Sequence, residues 1–396
     1  MALAVRQSEK SRQTDLKVAE SAARAVRAVG IDQMALTRVA ADAGFSSGAI
    51  YARCDDRSEL VVLAWEKSFW PMLGEMIGVL IDAATTRDPK ATDQLGRLFA
   101  ARSASDAIPD IGSAMEVIVA SRRDEVISEV VQRDINGLLD DRGVGPSTDG
   151  PARQVVVAAL STLFGAALLN SAYEIPGFGP IDPMPLLNAY FSAPRNPTKP
   201  AKTSRPAAPV ASLQFPTTND EVRDALISAT EYVIARSGIH RATVSRIARR
   251  AGVSVGAIYS LYENKDALVG DCLDVLIPPY TRYDTTKWSK VFTADDQRAA
   301  VTEILVDYLS KNRQWRHFRL ECLVAARHSP SISRQLARFA GMAREQIMEA
   351  ALKAPVTAVL RPDTSLSARS SLVGSSIVEI IDPTAASLDW RWVPVG

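Results

Sequence analysis

Residues 242–265 read Ala-Thr-Val-Ser-Arg-Ile-Ala-Arg-Arg-Ala-Gly-Val-Ser-Val-Gly-Ala-Ile-Tyr-Ser-Leu-Tyr-Glu-Asn-Lys. Their spacing predicts two short helices and a tight turn. Ile247, Ala248 and Ala251 share one helical face. Gly252 follows, where an abrupt helix end favours a residue able to take positive φ. Ser254 then stands as an N-cap for a second helix, whose buried side is Ala257, Ile258 and Tyr262. Small Ala248 and Gly252 let the two helices cross closely. This is the pattern of a helix-turn-helix, whose second helix enters the major groove.

The pattern occurs twice. Residues 35–57 read Ala-Leu-Thr-Arg-Val-Ala-Ala-Asp-Ala-Gly-Phe-Ser-Ser-Gly-Ala-Ile-Tyr-Ala-Arg-Cys-Asp-Asp-Arg. Gly44 aligns with Gly252, Ser46 with Ser254, Gly48 through Tyr51 with Gly256 through Tyr259, and Leu60 with Leu268, without a gap from Gly30 onward. A repeat at this distance is far too long for a solenoid unit and implies a duplicated domain.

Both stretches resemble the DNA-binding domain of the TetR family of bacterial transcriptional regulators. The second is close to that pattern, from Thr243 to its final basic residue Lys265. The first departs from it: Cys54 replaces the aromatic found at Tyr262, Arg57 the lysine, and Ala35 the threonine. The resemblance implies an all-α fold of two TetR-like copies, each a helix-turn-helix domain followed by a helical regulatory domain. The expected boundaries are a first DNA-binding domain at 14–60, a first regulatory and dimerisation domain at 61–192, a linker at 193–216, a second DNA-binding domain at 217–268, and a second regulatory domain at 269–396.

Composition is compatible with this reading. Of 396 residues, 47% are hydrophobic, enough for real cores, and 23% are charged, as in ordinary soluble proteins. The net charge of +1 says nothing about nucleic acid, so that case rests on local charge. Cys54, Cys272 and Cys322 are scattered without metal spacing, and His240, His317 and His328 form no ligand pattern. A reducing bacterial cytoplasm and no metal or cofactor are expected. The first residues are polar and charged, unlike a signal peptide. The longest apolar run, Val155 to Leu169, is short for a bilayer span and reads as a buried helix, so no membrane is expected as a partner.

Along the chain, residues 1–13 read as a flexible basic arm. A helix is expected from Thr14 to Val29 with Leu16, Ala19, Ala23 and Val26 inward, ended by Gly30. Asp56 with Glu59, and Thr218 with Glu221, resemble capping boxes. Helical periodicity recurs near 72–86, 91–103, 112–121, 124–140 and 152–172, then near 265–277, 295–311, 314–327, 331–352 and 364–381. The helix over Arg153 to Ala172, with Ala158, Ala159, Gly165, Ala166 and Ala167, suits a close helix–helix interface. Pro278-Pro279 is expected to break the helix after the second reader. Residues 193–216 hold six prolines, four basic residues and no acid. At about 3.1 Å per residue such a segment reaches roughly 75 Å, beyond the roughly 34–36 Å between half-site centres. The tail from Leu388 aligns loosely with residues from Ile181, and the halves are expected to pair asymmetrically there.

The DNA-contact residues implied are Thr243, Ser245, Ser254, Val255, Gly256, Tyr259, Leu261 and Lys265. Their counterparts in the first copy are Thr37, Ser46, Ser47, Gly48, Tyr51, Arg53 and Arg57. Family positions at Thr243, Ser245, Tyr259 and Lys265 touch the DNA backbone. Val255 can pack on a thymine methyl, while Arg53 can reach guanine or phosphate. Ser47 opposite Val255, and Arg53 opposite Leu261, suggest an asymmetric operator read by one chain as a pseudo-dimer. Alternatively, only the second reader works and the first half senses ligand or dimerises. For a small apolar effector, as the family implies, candidate pocket residues are Phe69, Trp70, Phe99, Met115, Phe164, Tyr283, Trp288, Tyr308 and Phe318. The expected partners are double-stranded operator DNA, that effector, and either the other half of the chain or a second chain. A remote rival is a serine hydrolase, since Gly44–Gly48 and Gly252–Gly256 both match Gly-x-Ser-x-Gly. That motif needs a strand before its serine, and none is predicted.

Overall fold

In the computed structural model the described residues are 9–104, 106–192, 217–291, 304, 308, 309, 313–353 and 362–388. All their regular structure is helical. The first half runs α1 (Glu9–Val29), a 3₁₀ turn (Ile31–Gln33), α2 (Leu36–Asp42), α3 (Ser47–Tyr51) and α4 (Arg57–Ala64). A π turn at Trp65–Phe69 leads into α5 (Trp70–Thr86). Then come α6 (Pro89–Ser103), α7 (Ile111–Ser121), α8 (Glu125–Asp141), α9 (Pro151–Ala172) and α10 (Met184–Ser192). The second half runs α11 (Glu221–Arg241), α12 (Val244–Ala251), α13 (Val255–Leu261), α14 (Lys265–Val291), α15 (Arg313–Ala326), α16 (Pro330–Lys353), α17 (Pro362–Ile381) and a 3₁₀ turn at Pro383–Ser387.

The helix boundaries follow local chemistry. Gly30, Gly44, Gly238 and Gly252 all take positive φ. Gly252 closes α12 in the left-handed region, its amide donating to the Ala248 carbonyl. Side-chain caps open most helices, including Asp88, Asp110 and Asp124 in the first half, and each contributes about 1 kcal/mol.

Several expectations need correction. α1 begins at Glu9, so the basic arm is already helical there. Leu16 is 46% exposed, and the buried face is instead Val18, Ala19, Ala22, Ala23 and Val26. Asp56 caps α4 through the Glu59 amide, but the Glu59 carboxylate accepts from Asp55 rather than Asp56. Asp220, not Thr218, caps α11, taking the amides of Val222 and Arg223. Thr218 bonds the Asp224 carboxylate instead. α14 passes through Pro278-Pro279 without a break. Two adjacent prolines remove two ladder donors, yet the remaining turns carry the helix. The linker at 193–216, nearly all of the helix expected at 295–311, and the tail beyond Leu388 lie outside the described residues.

α9 crosses α17 closely enough that a Cβ on Gly165 would collide with the Ser370 backbone, and one on Gly374 with that of Ser161. The contact is reciprocal, as at a two-fold interface. Thr162 and Ser371 share a buried hydroxyl–hydroxyl hydrogen bond of 2.7 Å. At the edge, Arg153 pairs with Asp382 at 2.7 Å, both nearly fully buried. α9 is long and apolar enough to cross a membrane by length and composition, but 83% of its apolar window is buried within the protein.

Candidate DNA-binding interface

The second reader is α12, turn and α13. Thr243 caps α12 through the Arg246 amide at 3.3 Å, and Ser254 caps α13 through the Ala257 amide at 3.0 Å. Ile247, Ala248, Ile258 and Tyr262 are buried beneath. Ser245, Ser254, Gly256 and, prominently, Val255, Tyr259 and Leu261 are left on the surface. Three large apolar side chains on one short helix are costly to expose without a partner. Arg246, Arg249 and Arg250 line the exposed face of α12 beside them. Arg250 lies over the Tyr232 ring, 4.1 Å from its centroid. The Lys265 ammonium donates to the Ile239 carbonyl at 3.1 Å, which fixes it between the two helical entries.

The first reader has the same scaffold and different charge. Ser46 caps α3 through the Ala49 amide at 3.3 Å, and Thr37, Ser47, Gly48 and Tyr51 are exposed. Arg57 donates to the Met34 carbonyl at 3.0 Å, the counterpart of the Lys265 contact. Where the second reader has Arg250, the first has Asp42, which accepts from Ser21 at 2.6 Å and pairs with Arg24 at 2.7 Å. Ser21 and Arg24 hold that carboxyl below the usual carboxylate range. Arg53, expected in the groove, is turned back: it donates to Asp15 at 3.0 Å and to the Ala49 carbonyl at 2.9 Å. The physical reason lies in a charge exchange. Asp15 aligns with Arg223, which instead binds Asp271, itself bonded by the Tyr262 hydroxyl at 2.7 Å. With Cys54 in the tyrosine's place, Arg53 is the partner Asp15 finds. Burial pushes the Cys54 thiol up to about 11, so it stays protonated.

The two readers touch. Asp32 pairs with Arg241 at 3.1 Å, and Gln33 bonds His240 at 3.1 Å. Behind them lies a buried network the sequence reading missed. Glu116 of α7 accepts from Arg327 at 2.6 Å and from His328 at 2.8 Å. Glu321 of α15 accepts from Arg122 at 2.6 Å and pairs with Arg123 at 3.4 Å. Glu116 also takes the Ile31 amide at 2.8 Å. A Cβ on Gly30 would stand 2.9 Å from Glu116, and one on Gly238 3.0 Å from Glu321. Each reader's hinge glycine therefore abuts a glutamate gripped by the opposite half. Burial opposes ionisation of both. His328 and Arg327 outweigh it at Glu116, whose carboxyl lies below its ordinary value. At Glu321 burial wins over Arg123 and Arg122. A signal was available: Met115-Glu-Val-Ile-Val-Ala-Ser-Arg-Arg123 aligns with Leu320-Glu-Cys-Leu-Val-Ala-Ala-Arg-His328.

The expected effector residues divide. Phe99 lines a cavity of about 1120 Å³. Phe69, Met115, Phe164 and Phe318 are fully buried, as is Tyr308 at 1% exposure. They are core residues, their apolar area taken up by helix packing rather than left facing a ligand. Trp70 stacks on Trp65 at 6.0 Å. Tyr283 and Trp288 fall on α14, but their side chains lie outside the described residues. Neither Ser46 nor Ser254 stands on the strand that a nucleophile elbow requires; each is preceded by a helix and engaged as a cap.

No curated protein matches the chain. Among solved structures, it is similar to a chain named as a putative transcriptional regulator from Streptomyces coelicolor A3(2), at 17% identity and a TM-score of 0.28, over 41% of this chain and 98% of that one. A likeness that slight carries no argument. Residues 226–272 match the model of the bacterial regulatory proteins of the tetR family, and they form a TetR-family helix-turn-helix domain, the DNA-binding part of a transcriptional regulator, within an all-α, TetR-like fold.

Proposed function

We infer that this chain is a tandem TetR-like regulator, a repressor of the bacterial cytoplasm in which one chain imitates a dimer on an operator with unlike half-sites. The observation that carries this reading is the reciprocity across the two halves. Glu116 is held by Arg327 and His328 as Glu321 is held by Arg122 and Arg123. Gly165 meets Ser370 as Gly374 meets Ser161. A two-fold dimer makes such paired contacts between subunits; here both partners belong to one chain.

In this reading Thr243, Ser245, Tyr259 and Lys265 position the second reader on phosphates, and Val255 and Leu261 touch base edges. Thr37, Tyr51 and Arg57 act likewise in the first, with Ser47 in the groove. Binding of a small apolar ligand shifts the halves to a spacing that no longer fits DNA. The test is specific, salt-dependent binding of the purified chain to labelled duplex from its own upstream region. Absence of any sequence preference there overturns the reading.

A second reading is favoured by Asp42 and Arg53. An acidic residue on α2, and an arginine neutralised by Asp15, leave the first reader poorer in free positive charge. In that version only the second reader binds DNA, and the first half serves sensing or dimerisation.

A further inference from the structure

The segment joining α9 to α10, residues 173–183, roofs the cavity of about 1120 Å³. Its walls are apolar and aromatic, with Phe99, Leu169, Phe178 and Met184 among them. Two carboxylates join them, Glu174 and Asp182, and no Lys, Arg or His stands among the described wall residues. Glu174 is exposed and makes no ion pair or hydrogen bond among the described residues. One Asp182 oxygen accepts the Met184 amide at 3.0 Å, which leaves the other free. Nearby cations outside the cavity are committed elsewhere: Arg327 to Glu116, and Arg338 to Asp274. The roof already holds a cation on its far side, where the Arg344 guanidinium lies 3.8 Å from the Phe178 ring centroid. Aromatic faces attract such charges through their quadrupole.

We propose that this cavity binds a lipophilic organic cation, its aromatic body against Phe99 and Phe178 and its charge toward Glu174 and Asp182. The size suits a fused-ring or multi-aryl molecule. The proposal rests on the regulator reading and names the class of its effector. The site is placed to act on the pairing of the halves. Its roof is pinned to α16 by Ser333, which donates to the Ala172 carbonyl at 2.9 Å, and by Ile175 packed 3.6 Å from where a Gly341 Cβ would lie. It is pinned to α17 by Ser367, which donates to the Asp182 carbonyl at 2.5 Å. An occupant that lifts the roof pulls on both helices that the second half contributes to the interface.

Calorimetric titration of the full chain with tetraphenylphosphonium, and with its isosteric anion tetraphenylborate, tests this directly. The cation is expected to bind saturably at one per chain, and tighter than the anion. Glu174→Gln and Asp182→Asn, the latter keeping the α10 cap, are each expected to weaken the cation at least tenfold and leave the anion unweakened. Preference for the anion, no saturable cation binding, or unchanged cation affinity in both variants overturns the proposal. Upstream-DNA binding measured on the same preparation separates the two claims. DNA binding without cation binding removes the effector class alone, whereas cation binding without DNA binding removes the regulator reading and leaves the cavity assignment standing.

Discussion

Gly165 and Gly374 face each other where α9 crosses α17. A Cβ on Gly165 would stand 2.9 Å from the Gly374 nitrogen, and one on Gly374 2.7 Å from the Gly165 nitrogen. Neither helix can retreat easily, because Leu163, Phe164, Leu372 and Val373 are buried on either side. Gly165→Ala is therefore expected to cost about 1–3 kcal/mol through overpacking, read as a lowered midpoint in urea. In the pseudo-dimer reading it also weakens DNA binding, though it lies far from the DNA-facing surface. A stable variant with full DNA affinity would detach reader spacing from this crossing.

The glutamate clamps make a second prediction. Removing the carboxylate in Glu116→Ala leaves Arg327 buried and uncompensated, which costs about 3–5 kcal/mol. Combining it with Arg327→Met removes the stranded charge and is expected to recover part of that loss. A double-mutant cycle by denaturant unfolding measures the coupling; strict additivity would mean the contact carries no energy between the halves.

Glu231 predicts a pH dependence. It is fully buried, its one bonded oxygen accepts from Gln314 at 2.6 Å, and burial pushes it from an ordinary 4.5 up to about 7. The folded state then holds the proton more tightly than the unfolded chain. That contribution is fully present below about pH 4.5 and is lost as pH rises toward about 7. Glu231→Gln is expected to stabilise the protein by up to about 3 kcal/mol near pH 8 and by little near pH 4. Thermal melts across that range check it, and a pH-independent difference would refute it. The counterpart in the first half is Ala23, so Ala23→Gln offers no such gain.

At the DNA surface, Lys265→Ala is expected to weaken binding equally on all sequences and reduce the salt slope by about one. Val255→Ala or Leu261→Ala is expected to change sequence preference, by about 1–3 kcal/mol at the bases touched. Competition binding on a panel of duplexes at two salt concentrations distinguishes them. Uniform losses from all three variants would mean that α13 does not read bases.

Much of the scaffold was legible because its signals are local. Gly252, Ser254 and Ser46 announce turn and caps by residue type alone, and most helix bounds of the regulatory parts follow from apolar periodicity. What failed depended on distant partners. Arg53 looks free until Asp15 is seen beside it. Leu16 looks inward until the Asp15 contact rotates the face of α1. Pro278-Pro279 reads as a break by propensity, yet tertiary context overrides a weak local rule. Aromatic side chains such as Phe164 and Phe318 suggested a pocket because sequence does not distinguish lining from core. The paired Glu116 and Glu321 clamps were written in the sequence, but their meaning required seeing which half each arginine reaches.

The most direct measurement is hydroxyl-radical footprinting of the purified chain on its own upstream DNA, with the chain-to-site ratio determined by titration. The account predicts one chain per site and two protected patches about one helical turn apart with unlike sequences. Protection of a symmetric site by two chains, with both patches weakened by Val255→Ala, would contradict it.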